Sequence, residues 1–250
     1  MGLSYRVRIA ITLVIIAISL LVWIVLFTNN HHDLTMEHSQ VILCGLNVEE
    51  SEMSMNFGSF SSQMMAWCLM VIAMMLPKLI MPVRFIFMRS LKRVRVLFSL
   101  LFVLAYLAVW MFAGVFLITA ITYIKQLSPM SFMPALGALI LVLAWQFSPI
   151  KQRFLNLGHE HRNLAAFGWP AVRDVLHFGV MHGIWCVGAG WLLMSFPMLL
   201  PQGHMLAMVI VAFIMIGEHL EHPRIPKWRL NFRLRLVKAV ITQTSIRLRH

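Results

Sequence analysis

Six apolar runs follow one another along this chain, at residues 9–27, 60–83, 96–123, 130–147, 175–200 and 204–220. Each is close to the roughly 20 residues a helix needs to cross the hydrocarbon core of a bilayer. Only closed barrels and helices satisfy their backbone polar groups in lipid, and runs without alternating polar residues select the helix. Sixty per cent of the residues are hydrophobic and 12% are charged, beyond the roughly 45–50% apolar content of soluble domains. A soluble fold is therefore excluded. The expected fold is all-α: one polytopic membrane helix bundle over residues 1–222, with about six transmembrane helices, then a basic tail over residues 223–250. The fourth and sixth runs are the shortest. The first follows Arg6 and Arg8 as a secretory signal would, but Thr28-Asn29-Asn30 offers no small-residue cleavage pattern, so it reads as a retained helix.

Charge placement supports the same count. Lys and Arg collect on the cytoplasmic side of a membrane protein, so loops on alternate sides should differ. With six crossings and both termini inside, 19 of the 21 basic residues fall in the cytoplasmic segments; Lys125 lies outside and Lys78 within a helix. A five- or seven-helix count spoils this partition. The outer loop, at about residues 28–59, holds Asp33, Glu37, Glu49, Glu50 and Glu52 and no Lys or Arg. The tail sets Leu230, Leu234, Val237 and Ile241 between arginines, as in an amphipathic helix lying on lipid. The formal net charge of +12 is thus explained by anionic lipid and not by nucleic acid. The expected location is a bacterial inner membrane.

Chemistry-bearing residues concentrate in three helices. In the second, Met64, Cys68, Met75 and Lys78 fall within about 80° of one another at 100° per residue, with Met70, Met74 and Met81 on a separate stripe. Thioether and thiolate sulfur suit Cu(I); Met is equally an adaptable apolar filler. Lys78, near the cytoplasmic end, is expected to snorkel to the headgroups rather than find a buried partner. In the fifth helix Gly179, Gly183, Cys186 and Gly190 fall within about 60°, a face that another helix can approach closely. His182 and Cys186, one turn apart at its edge, can share one metal ion; they can equally be a packing cysteine beside a histidine bonded to a carbonyl. The sixth helix aligns His204, Met208, Met215 and His219, with Glu218 to one side, expected in a surface pair with Arg or Lys. His204, at the outer end, could gather metal together with Met205, His31, His32, Met36 and His38; for His31 and His32 a solvated loop accounts for the pattern as well. The three cysteines, Cys44, Cys68 and Cys186, are far apart, which gives neither a disulfide framework nor a thiolate zinc motif. No hydrolase, phosphate-binding or dinucleotide motif occurs, so the chain reads as a non-enzyme.

Laid in order, several segments resemble a domain-of-unknown-function family of predicted metal-binding integral membrane proteins. They are residues 67–77 with the MVIAMMLP core, YLAVW at 106–110, WQFSPIK at 145–151, FGVMHGIWCVGAGWLLM at 178–194, and residues 202–208 with Glu218. The family's cysteine pairs are replaced by Phe154-Leu155-Asn156-Leu157-Gly158 and Gly188-Ala189-Gly190-Trp191, leaving Cys186 of that set. The resemblance implies a metal held by His and Met with one Cys, or a scaffold that has lost it; His159-Glu160-His161 could substitute on the cytoplasmic side.

Residues and resemblance together point to a membrane protein that binds a soft transition metal, copper first, for handling or delivery. The candidate ligands are Cys186, His182, Met75, Met208, Cys68 and His204. The alternatives are a structural or assembly subunit of a larger membrane complex, with Gly- and Met-rich faces against a protein partner or a second copy, and a small transporter with His177, His182, Lys78 and Glu218 along its path.

Overall fold

The computed structural model describes residues 5–43, 52–127, 132–159, 164–165, 168–200 and 203–220, with side chains for all of these except 29–43 and 52–59. Every regular element among them is helical: α1 (Tyr5–Leu43), α2 (Glu52–Met75), a 3-10 turn (Leu76–Leu79), α3 (Ile80–Arg89), α4 (Arg95–Leu127), α5 (Met133–Gln146), α6 (Pro149–Leu157), α7 (Gly168–Leu199) and α8 (His204–His219). The outer-loop histidines, methionines and Cys44, the tail beyond residue 222, and Glu160 and His161 lie outside the described side chains. Within the expected outer loop, the helical backbone runs on to Leu43 in α1 and resumes at Glu52 in α2, because the helix hydrogen-bond ladder does not require apolar side chains.

The chain divides into two compact units, Met1–Met88 and Arg89–His250. In the first, α1 packs along α2 and the 3-10 turn. The turn follows from Pro77, which has no N–H to give to the carbonyl of Ala73 four residues back. Ser19 of α1 takes up that acceptor, its hydroxyl donating to the Ala73 carbonyl at 2.7 Å. Nearer the start of α1, Arg84 donates to Thr12 Oγ1 at 2.5 Å and to the Arg8 carbonyl at 3.1 Å, so α1 runs antiparallel to the α2–α3 segment. Lys78 is buried at 6% exposure; the snorkelling expected of it does not occur, because α3 carries the helical path on to Arg89.

In the second unit α7 is the hub, packed against α4, α5, α6 and α8. It runs parallel to α4, with Gly179 against Phe102 and Ala105, Gly183 against Tyr106 and Val109, and Gly190 near Trp110. It runs antiparallel to α8, since His182 faces His219, Gly190 faces Met215, and the Pro197 carbonyl meets His204. Where α4, α5 and α7 come together, Ile121, Ala138 and Leu199 form an apolar layer with Phe196 and Met198.

Four segments are long and apolar enough to cross a membrane: Tyr5–Thr28, Phe60–Arg89, Arg95–Leu127 and Gly168–Leu199. The fourth and sixth expected crossings differ from these. Residues 133–157 form two helices bent by 66°, because Pro149 ends α5 and Ser148, extended at ψ 137°, caps α6 by accepting from the Ile150 amide. With 14 residues in α5 and 16 in α8, each falls short of a bilayer core of about 30 Å at 1.5 Å per residue.

Candidate metal site

The WQFSPIK segment does more than break a helix. Gln146, the last residue of α5, and Lys151, in the first turn of α6, converge on Glu218 near the end of α8. Lys151 Nζ stands 2.7 Å from Glu218 Oε1 and donates to Gln146 Oε1 at 2.5 Å, while the Gln146 amide donates to the same Glu218 oxygen. Both charges are buried, with side-chain exposures of 0% and 3%. Two expectations are corrected here. Glu218 has the cationic partner foreseen for it, but in the interior and not at the surface. Lys151, counted with the basic residues of a cytoplasmic segment, is buried instead, because α6 packs against α7 and its first turn meets Gln146 of α5 and Glu218 of α8. An ion pair so buried recovers its desolvation only through close geometry and further hydrogen bonds, and Gln146 supplies one to each charge.

Beside this triad is a row of imidazoles. His159, just past the end of α6, stacks on His219 with ring centroids 5.4 Å apart. Its Nδ1 lies 2.8 Å from the Leu155 carbonyl and its Nε2 3.1 Å from the His219 carbonyl, so one ring bridges the C-terminal turns of α6 and α8. His219 in turn meets His182 of α7 edge-on, with centroids 6.4 Å apart. His182 is buried at 7% exposure among Phe102, Tyr106 and Phe178.

One turn beyond His182 is Cys186, half-buried, with the Tyr106 hydroxyl donating to its sulfur at 3.0 Å. The close approach of α4 that makes this contact possible depends on the glycines. A Cβ at Gly179 would come within 2.7 Å of the Phe102 carbonyl oxygen, and one at Gly183 within 2.9 Å of Val109 Cβ. A turn further on, a Cβ at Gly190 would run into the Met215 methyl, which puts a thioether beside the turn that follows Cys186.

The six expected ligands therefore separate. Cys186 and His182 stand together on α7, facing α4. Met208 is buried on α8, but the antiparallel register sets it near the level of Met194 and away from Cys186; Met215, on the same stripe, is the methionine that reaches the Cys186 end. His204 lies at the opposite end of the unit, its Nδ1 2.9 Å from the Pro197 carbonyl. That carbonyl is 15 residues from His182, about 22 Å along a helix. Met75, buried, and Cys68, half-buried, belong to the first unit. Among the described residues no three His, Cys, Asp or Glu side chains are grouped closely enough to hold a metal ion. The contributions of His219, Tyr106 and Met215 were not apparent from spacing within one helix, since each meets α7 from another element; the alignment of Met215 and His219 on one stripe was the available signal.

No curated protein and no solved structure matches the chain. A protein-family match covers residues 64–231, more than half of the chain, and takes in the α4–α7 face, the WQFSPIK bend and Glu218. The family is described as a copper chaperone, which agrees with the soft donors found on α7 and α8. By that match the chain belongs to the PpoB2 family of copper chaperones.

Proposed function

We propose that the chain is a multi-pass inner-membrane protein, without enzymatic activity, that carries Cu(I) in its second unit and delivers it to a partner. The ligands in this reading are the Cys186 sulfur and the His182 imidazole, with the Met215 thioether completing the set after a small movement of its flexible side chain. The observation that carries it is the pairing of Cys186 and His182 one turn apart in a largely aromatic surround, within the stretch matched to copper chaperones. Hard cations require several oxygen ligands, whereas thiolate and thioether donors select Cu(I). The Tyr106 hydroxyl orients the sulfur, as the partners of metal ligands commonly do. Met75, Cys68, Met208 and His204 are not ligands in this scheme.

Copper content after purification under reducing conditions tests the reading. The wild-type chain is expected to retain Cu(I) or to take it up from a weak chelate. His182→Ala and Cys186→Ser should lose it while keeping their helical content, and Met215→Leu should weaken it. A folded wild-type chain that takes up no Cu(I) refutes the proposal.

A further inference from the structure

The site of the proposed function is largely covered, with His182 buried and Cys186 half-buried, so copper needs a way in and out, and the side chains around it differ between the two ends of the unit. Toward the α7–α8 connection, the first donors beyond Cys186 are the methionines Met194 and Met208, exposed by 0% and 1%. The Ile121, Ala138 and Leu199 layer lies at that end, and His204 there is held by the Pro197 carbonyl about 22 Å from His182. Toward the end of α8 the arrangement is different. His219 is partly exposed and its ring already meets that of His182, while His159, also partly exposed, holds His219 from the outside through ring stacking and its backbone carbonyl. Glu218, the adjacent residue, is fixed by Lys151 and Gln146, so the backbone that carries His219 is anchored in the interior.

We infer that copper is exchanged through the α6–α8 end of the second unit, with His219 as the relay ligand that takes Cu(I) from His182 and Cys186 and presents it to an acceptor. The inference rests on the copper site proposed above. Each step replaces one donor with another around the same Cu(I), so no oxidant or reductant takes part: the Cys186 sulfur is released as the His219 imidazole binds, the Met215 thioether and the His182 imidazole are released as donors of the acceptor bind, and His219 is released last as the acceptor completes its own ligand set. A relay needs neighbouring donors that an ion occupies in turn, and successive rings at 5.4 and 6.4 Å provide neighbours that small side-chain rotations can bring onto a shared ion. The exposed Arg153 and Arg173 belong to the elements that form this end, so the acceptor it suits is a protein that presents an anionic copper-binding surface. Lys92 and Arg93, exposed just before α4, add to the positive charge of the same unit.

The test is the rate at which the full-length, Cu(I)-loaded chain in detergent gives up copper to excess bathocuproine disulfonate, followed by the absorbance of the chelate. His219→Ala should retain copper in the absence of chelator but release it about tenfold more slowly, the loss of one ligand contact from the barrier. His204→Ala should release it at the wild-type rate. His219→Gln, which preserves side-chain length and the backbone carbonyl that His159 contacts, should behave as the alanine variant does and covers the case in which the alanine variant fails to fold. Wild-type release from folded His219 variants, or slowed release from His204→Ala, overturns the relay while leaving the copper site intact. A wild-type chain that never loads with Cu(I) overturns both.

Discussion

At the scale of single residues, the buried ion pair is the feature with the largest energetic stake. Lys151 and Glu218 stand 2.7 Å apart with almost no solvent exposure, where removing one partner strands the other. Breaking such a pair costs about 3–5 kcal/mol, whereas replacing both charges with apolar groups is often neutral or stabilising. Lys151→Met is therefore expected to lower the thermal midpoint in detergent strongly, and Lys151→Met combined with Glu218→Leu should recover most of the loss. A double variant as unstable as the single one would mean that the pair contributes through something other than charge. The residue types at these positions were legible in the sequence, but their burial was not. A lysine two residues after a proline in a segment rich in Arg reads as a loop residue until α6 is seen to fold against α7.

At the scale of elements, the α4–α7 contact is set by the absence of side chains. Gly179 faces backbone, since an added Cβ would lie 2.7 Å from the Phe102 carbonyl oxygen and 3.3 Å from its Cα, and backbone cannot give way without moving the helix. At Gly190 the obstacle is the methyl end of Met215, which can turn aside. Gly179→Ala is thus expected to destabilise the protein by about 1–3 kcal/mol, the usual cost of overpacking, and to disturb the Tyr106–Cys186 contact. Gly190→Ala should cost clearly less in the same unfolding measurement, and the reverse order would refute this account of the helix contact. The sequence predicted a close-packed face containing Gly179, Gly183, Cys186 and Gly190, because helical periodicity alone brings them together. It could not say that α4 would occupy most of that face while α8 reached Gly190. Proline has a comparable local effect: Pro77 leaves the Ala73 carbonyl without its helical donor, and only the packing of α1 supplies Ser19 to accept that role.

At the scale of the whole molecule, the expectation of six crossings meets four segments of full length, a pair bent by 66° and a helix of 16 residues. Six crossings with both termini inside remain compatible with these elements if the bent pair serves as one crossing and the bilayer thins slightly around α8. Reporter fusions give the check: fusions at residues 92 and 162 should report the cytoplasmic side, and one at residue 129 the outer side. A cytoplasmic signal at residue 129 would exclude the arrangement. The sequence by itself determined the helical class, the succession of apolar segments, the charge asymmetry and the proximity of His182 to Cys186, because each depends on composition or on periodicity within a single element. The tertiary structure alone decided which donors from different helices meet, that Lys151, Gln146 and Glu218 form one buried network, and that His219 rather than His204 adjoins His182. Those facts depend on the register between helices far apart in the chain, and a helix's own periodicity carries no information about the neighbour it will meet.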